Sequence, residues 1–497
     1  MLFLRAISIR CHEKVIMISM KLVTIILAFG LLSTMFFSPL NVQSALAATY
    51  TDVSVVAAKT MIDTDPALVV LDVRNQSEYD TGHIRNTKLI PVWALPTRLN
   101  ELNPSDTILV YCKAGSRSAV ACQTLVNNGF TDVYNMIGGI TAWIAEGYPA
   151  YVNYSSIQAA IDSASSGSTL YVSSGLYHEH LTVNKPLTLI GENKSNTIID
   201  GSGNGTIFNV TSSDVYINHF MMQNCGDSSQ GFYGVCVEPY CSHVSITDNN
   251  MVGSLGVLSN SVRADLGEDI LIGRNNVTDC VDWCIYVTNS SSVRVLENNI
   301  ADNWAEARFE NCTELVFSGN NVTNNPVGVA LENCSGSTLV GNSFQSNLFS
   351  GIHLSRSSNN LIFHNNFVEN TQQVHVEESG YINTWDNGYP SGGNYWGSYT
   401  GVDVYSGPYQ NETGSDGIGD TEYVIDAYNR DRYPLMEPYS PLGDINGDGI
   451  VDIYDLILVA SAYGSTPADP NWNPDSDING DFAVDIYDLI LVAAQYG

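Results

Sequence analysis

The stretch VRVLENNI, residues 293–300, is a short apolar-alternating strand that runs into a pair of asparagines. The same punctuation recurs as NNM at 249, NNV at 275, NNI at 298, NNV at 320, NSF at 342 and NNF at 365, spaced 26, 23, 22, 22 and 23 residues apart. Each copy follows a strand of the same kind, such as ELVFS before the one at 320. One strand-rich repeat of this length cannot bury its own apolar face. Copies stacked on one another can, and the fold expected is a parallel β-helix. Stacking also sets equivalent asparagines about 4.8 Å apart, close enough to hydrogen-bond as a ladder. Upstream, SSIQAAIDS at 155–163 reads as an amphipathic helix placed to cap the open end of the stack. The β-helix is expected over residues 151–439.

Placing the coils in register gives an inside and an outside. If Ala264, Val287, Phe309, Leu331 and Leu354 point inward, the row Arg263, Tyr286, Arg308, Ala330, His353 points outward. Asp265, Glu306, Glu310 and Glu332 flank that row. Arginine, carboxylates, tyrosine and histidine on one face suit a groove that binds sugar or cleaves a uronate. A solenoid face must carry outward polar residues in any case, so a catalytic groove, passive glycan binding and a plain scaffold all stay open. Cys312 and Cys334 occupy equivalent positions of neighbouring coils, compatible with either a disulfide or a ladder of free thiols.

The rest of the chain bounds what surrounds this solenoid. At 497 residues the sequence calls for about three domains. Acidic residues number 52 against 20 basic, a formal charge of −32. That balance excludes nucleic acid as a partner, because phosphate affinity needs clustered Lys and Arg. It suits Ca²⁺ instead. Lys21, the apolar run LVTIILAFGLLSTMFFS and ALA at 45–47 form a secretory signal, with cleavage expected after Ala47; an uncleaved anchor is the alternative. A secreted or cell-surface location follows. Nine cysteines remain beyond the signal, an odd number, so at least one stays unpaired within the chain.

Residues 50–150 read differently. LVVLDV (68–73), TILVYC (107–112) and DVYNM (132–136) alternate with helical stretches, one of them SAVACQTLVNNG with Gly129 at its C-cap. Alternating strands and helices imply a mostly parallel α/β sheet, whose ligands bind beyond the carboxyl ends of the strands. Cys112 sits at such an end, in the loop CKAGSRS (112–118). Backbone N–H groups of Lys113, Ala114, Gly115, Ser116 and Ser118 can curl round the sulfur and stabilise a thiolate or a bound oxyanion. Gly115 allows the turn, and Arg117 adds a cation with bidentate reach. The reading is a nucleophilic cysteine serving an anionic sulfur or phosphorus substrate. The spacing from Cys112 to Arg117 is C-x₄-R, one residue short of the C-x₅-R loop of cysteine phosphatases, which favours sulfur.

With LDVRNQSEYDTGHI (71–84) and GGITAW (138–143), this segment resembles a single-domain rhodanese. The resemblance implies sulfane-sulfur transfer through a persulfide on Cys112, from a small donor such as thiosulfate, with Arg117 and the loop amides as the binding groups. Asp72, Arg74 and His83 fall on the family's motifs in structural roles. The alternative is an inactive domain with a buried strand-end cysteine. Residues 151–439 resemble the right-handed pectate-lyase-like β-helices, nearest to the group that includes NosD and many archaeal surface proteins, most visibly in the tail from GGNYWGSY to DRYPL (392–435). Members of that group bind or cleave polysaccharides, so a lyase or hydrolase on the β-helix face is a further alternative.

Residues 440–497 hold two near-copies, DINGDGIVDIYDLILVASAYG and DINGDFAVDIYDLILVAAQYG, offset by 33 residues. Oxygen ligands at alternate positions repeat the front of an EF-hand loop. The first set is Asp444, Asn446, Asp448, the carbonyl of Ile450, Asp452 and Asp455. The second is Asp477, Asn479, Asp481, the carbonyl of Ala483, Asp485 and Asp488. Calcium is the cofactor this implies, and it is expected to drive folding of so small a unit. Phe482 takes the position where such loops use glycine, which predicts a strained turn. The pair resembles a type I dockerin, a small all-α module. That resemblance implies docking onto a cohesin-bearing protein through Ile453–Tyr454 and Ile486–Tyr487.

Overall fold

The computed structural model describes residues 49–226, 232–253, 260–446, 451–479 and 481–495. The segment read as an export signal lies outside the described residues, as do Asp448 and Ile450 of the first acidic loop.

Apolar tetrads too short for helices build the first module. Strands β1 (Thr51–Val53), β2 (Val69–Asp72), β3 (Lys88–Leu89), β4 (Ile108–Tyr111) and β5 (Val133–Met136) pair in parallel in the order β1-β5-β4-β2-β3. Between them run α1 (Val55–Thr64), α2 (Gln76–Asp80) and α3 (Ser116–Asn127), and α4 (Gly139–Ala145) follows β5. All four residues of β4 are buried because helices cover both sheet faces. Leu125 and Val126 of α3 pack on one face; Val55 of α1 and Trp143 of α4 pack on the other. Helix α3 is capped by Asn128, one residue before the Gly129 expected at that place, and Gly129 follows in the left-handed region with φ +91°.

The repeat folds as a parallel β-helix. Its coils stack into three parallel sheets of ten, nine and nine strands. Helix α5 (Ile157–Ser163) lies at its N-terminal end with Ile157 and Ile161 in the core. The inward residues are those expected: Ala264, Val287, Phe309, Leu331 and Leu354 are all buried. Each predicted asparagine is buried too, and together they form one ladder. Along it, each amide and backbone N–H donates to the next coil's Oδ1, from Asn249 through Asn275, Asn298, Asn320, Asn342 and Asn365 to Asn394. A second ladder runs Asn303, Asn325, Asn347, Asn370 at another corner. The tail closes the stack by supplying ladder residues of its own. Asn429 receives Asn383 N at 3.0 Å, and Asp431 receives Asn394 N at 2.7 Å.

The nine described cysteines are all buried. Cys312 and Cys334 take the ladder arrangement rather than the bridge. Their sulfurs lie 3.4 Å from the carbonyl oxygens of Glu310 and Glu332 respectively.

Residues 440–497 belong to a separate compact unit. There α6 (Ile453–Ala462) and α7 (Ile486–Gln495) share a small core of Val451, Val459, Ala462, Val484 and Val492. The duplicated sequences give matching geometry. Asp455 takes the N–H groups of Ile445, Asn446 and Asp452, and Asp488 takes those of Ile478, Asn479 and Asp485.

Candidate active site at Cys112

Strand β4 delivers Cys112 to the sheet's carboxyl end, and the next turn bends back over it. Gly115 sits at φ +100°, a conformation that a side chain disfavours, and it opens α3 as its N-cap. The turn aims donors at the sulfur: Gly115 N lies 3.2 Å and Ser118 Oγ 3.5 Å from Sγ. Backbone N–H groups of Ala114 and Ser118 add to them. Lys113 and Ser116 are exposed at the rim and contribute backbone shape.

The loop's own carbonyls are held away from the sulfur. Ile140 N donates to Cys112 O at 2.9 Å and Thr141 N to Lys113 O at 3.1 Å, so the first turn of α4 binds the outer side of the loop. A Cβ on Gly139 would fall onto the carbonyl oxygen of Cys112, which explains the glycine pair in GGITAW. The net effect is a concave set of amides on one sulfur, a geometry that stabilises negative charge. Burial opposes ionisation of Cys112, but the hydrogen bonds from Ser118, Ala114 and Gly115 outweigh it and the thiol sits below its ordinary value. Cys122, on α3, shows the same burial without such donors and is pushed up to about 12. Two thiols ten residues apart are thus shifted in opposite directions.

Arg117 is engaged. Its two terminal nitrogens each lie 2.7 Å from an oxygen of Glu78, a bidentate pair across 39 residues of sequence. The guanidinium holds the Glu78 carboxyl down at about 2, against a partial burial penalty. Glu78 also closes the capping box of α2 with Asn75: its backbone N–H donates to Asn75 Oδ1 at 2.8 Å and its carboxylate accepts Asn75 N at 3.4 Å. Sequence reasoning missed Glu78. The capping box was its only local signal, and that signal points to helix structure.

The family-motif residues are buried and paired. Asp72 and Arg74 form a buried bidentate pair, and Arg74 reaches on to Gly82 O at 2.7 Å. His83 stacks on Tyr79 at 3.7 Å between ring centroids and places Nε2 3.2 Å from Glu192 of the β-helix.

On the β-helix, the row Arg263, Tyr286, Arg308, Ala330, His353 is one continuous cross-coil register. It continues to His375. The row is more self-satisfied than its residue types suggest. Arg308 is ringed by Glu306 at 3.4 Å, Glu310 at 2.5 Å and Glu332 at 2.5 Å. Tyr286 donates its hydroxyl to Glu310 at 3.0 Å and stacks on Trp283 at 4.4 Å. Arg263 lies over the ring of Tyr233 and 3.8 Å from Asp265. His353 faces Glu377 at 3.6 Å, with burial and neighbouring His375 lowering its pKa. Ala330 is covered by its neighbours, with 3 % exposure.

In the C-terminal unit, Asp477 accepts the N–H groups of Asp481 and Phe482, and Asp481 accepts that of Ala483. Asp452 and Asp485 cap α6 and α7 by accepting from Tyr454 N and Tyr487 N, both at 2.7 Å. Ser440 Oγ donates to Asp444 at 3.1 Å. Phe482 lies at φ +66°, the left-handed conformation that its place in the loop predicts to be strained. Among the described residues, no three His, Cys, Asp or Glu side chains are gathered as a metal site.

Comparison with known families follows this division. The rhodanese-like domain family matches residues 54–146 and the periplasmic copper-binding protein family NosD matches residues 161–401. A putative sulfur carrier protein, YrkF of Bacillus subtilis, is 37 % identical over 101 residues, which cover 20 % of this chain and 55 % of the relative. A sulfurtransferase of Allochromatium vinosum is 35 % identical over 89 residues, 18 % of this chain and 82 % of its own length. The thiosulfate sulfurtransferase GlpE of Coxiella burnetii is 36 % identical over 78 residues, 16 % of this chain and 73 % of its own. Through the module built around Cys112 the chain belongs to the rhodanese-like family, and it joins that module to a NosD-type β-helix.

Proposed function

We propose that the first module is a sulfurtransferase that carries sulfane sulfur as a persulfide on Cys112. The observation that carries this reading is the cluster of donors from Ala114, Gly115 and Ser118 on one sulfur, which lowers the thiol's pKa. The Cys112 thiolate attacks the outer sulfur of a donor. With thiosulfate, the S–S bond of the donor breaks, sulfite leaves with the electron pair, and Cys112 keeps one added sulfur with its negative charge. An acceptor thiolate then attacks that sulfur and releases the Cys112 thiolate. The loop amides hold whichever sulfur carries charge at each stage. The test is intact-mass spectrometry of the full chain after incubation with thiosulfate or glutathione persulfide. A gain of one sulfur, removed by cyanide and absent in Cys112→Ser, is the expected result. An unchanged mass with both donors while Cys112 still alkylates would sink the reading.

For the β-helix we infer binding of a glycan along the Arg263–His353 row rather than cleavage of a uronate. The Trp283–Tyr286 stack supports a sugar platform. The three carboxylates on Arg308 leave that residue little positive field for a polyuronate. Loss of glycan retention on Tyr286→Ala, with no product release by the wild type, is the expected pattern. Turnover abolished by Glu306→Gln would favour the lyase or hydrolase reading.

For residues 440–497 the reading is a calcium-dependent dockerin on an exported chain, attaching the protein to a cohesin. Every predicted ligand offers a hard oxygen, the donor chemistry that Ca²⁺ takes. Asp444, Asn446, Asp452 and Asp455, with Asp477, Asn479, Asp481, Asp485 and Asp488, would hold two ions that order the loops. Ile453 and Tyr454 on α6 and Tyr487 on α7 are exposed, which suits a docking face. Calorimetry of the full chain should read two calcium sites and EDTA should lower the melting temperature of this unit; no calcium heat would overturn it.

A further inference from the structure

We propose that Glu78 determines the donor class of this site, favouring the terminal sulfur of a persulfide or polysulfide over a dianionic oxyanion such as thiosulfate. The inference rests on the sulfurtransferase reading and adds the substrate class to it. In the loop, the cation placed to meet an anionic donor is Arg117, and both of its terminal nitrogens are committed to Glu78 at 2.7 Å. Lys113 is exposed at the rim, where water and salt screen its charge. A sulfonate that seeks the same bidentate contact with Arg117 must displace a carboxylate of the same geometry. The displaced Glu78 would then face a dianion as an unpaired like charge.

A persulfide needs no such exchange. The Cys112 thiolate attacks the outer sulfur of R–S–SH, the S–S bond breaks, and R–S⁻ leaves with the electron pair. Cys112 then carries S–SH, with the overall charge of −1 conserved. The charge that moves in this step is single and sits on sulfur, within reach of the amides of Ala114 and Gly115 and the hydroxyl of Ser118. Helix α2 fixes the gate mechanically as well. Its first turn is closed by the Asn75–Glu78 capping box, in which the Glu78 carboxylate accepts Asn75 N at 3.4 Å, so the carboxylate has a partner besides Arg117.

The test compares the full chain with Glu78→Gln and Glu78→Asp, measuring the rate at which Cys112 gains one sulfur from thiosulfate and from glutathione persulfide. The wild type is expected to load from persulfide at least tenfold faster than from thiosulfate. Glu78→Gln, which frees Arg117 and removes the like charge, is expected to raise the thiosulfate-to-persulfide rate ratio roughly tenfold. Glu78→Asp keeps the charge and should hold the wild-type ratio. A Glu78→Gln ratio equal to wild type, or Glu78→Asp and Glu78→Gln falling equally with both donors, overturns the proposal and assigns Glu78 to loop structure. A wild type that loads from neither donor overturns the sulfurtransferase reading itself, and this inference with it.

Discussion

His83 of the rhodanese-like module and Glu192 of the β-helix meet at 3.2 Å, both buried. Glu192 also accepts the N–H groups of Asn86 at 2.9 Å and Ser174 at 2.8 Å, so one carboxylate ties a loop of the first module to the start of the second. Backbone pairing continues the joint: His83 and Tyr151 exchange two hydrogen bonds, and Val152 donates to Tyr171. The modules are therefore continuous in structure. Burial raises the Glu192 carboxyl, but His83 and the two amides outweigh it and hold the pKa below its ordinary value. A carboxylate with a lowered folded-state pKa stabilises above its unfolded value and loses that contribution as pH falls below it. Glu192→Ala should cost about 3–5 kcal/mol, because it orphans a buried histidine nitrogen and two amides. Urea unfolding should change from one transition shared by both modules to two.

The lowered Cys112 thiol predicts reactivity at a pH where an ordinary thiol is protonated. The iodoacetamide rate at Cys112 should fall only as pH drops through the depressed value, below the usual thiol range. Cys122, pushed up to about 12, should stay unmodified at neutral pH. Ser118→Ala removes one listener to the charge on sulfur and should shift the Cys112 rate profile upward in pH. Gly139→Ala should do more, since the new Cβ forces the Cys112 carbonyl to move and takes the loop with it. Peptide mapping after timed alkylation reads all three.

Periodic features were legible in the sequence and non-periodic partnerships were not. Stacking makes every coil report on its neighbours, so the inward residues and the row from Arg263 to His353 could be registered from spacing alone. The Cys112 loop was legible because its glycine, serine and arginine are consecutive. Glu78 and Glu192 were not, since their partners lie 39 and 109 residues away with no repeat to connect them. The same limit hid the saturation of Arg308. The carboxylates were visible in the sequence, but their convergence on one guanidinium depends on side-chain geometry across two coils.

The asparagine ladder makes a sharper test of the solenoid than any apolar position. Asn320 Nδ2 reaches Val295 O at 2.9 Å and Asn342 Oδ1 at 2.9 Å, while its Oδ1 receives Asn298 N and Nδ2 at 2.9 and 3.0 Å. Asn320→Ala strips partners from both neighbouring coils and should cost about 2–4 kcal/mol. Asn320→Asp should cost more, because its carboxylate would turn an acceptor toward Asn342 Oδ1. Chemical denaturation of each variant measures the difference, and a loss under 1 kcal/mol for both would remove the ladder from the account of stability.

The ladder ends on a charge-bearing group, and that end is predicted to be pH-sensitive. Asp431 accepts Asn394 N at 2.7 Å, Trp396 Nε1 at 2.9 Å and Tyr433 N at 3.0 Å. Those donors favour the carboxylate, yet burial outweighs them and, with nearby Asp386 adding to it, raises the pKa from 3.8 to about 7. A carboxyl with a raised folded-state pKa binds its proton more tightly when folded, so its effect on stability is most favourable at low pH. That advantage fades as pH rises from about 4 to about 7. Acidification from pH 8 to pH 5.5 should therefore stabilise the C-terminal end of the β-helix in the wild type, by roughly 2 kcal/mol at one proton per shifted group. Asp431→Asn cannot titrate and should lack that gain. Comparing the two proteins across this range cancels the other carboxylates. Parallel pH profiles would mean that the three donors keep Asp431 ionised and that the ladder is anchored on an anion throughout.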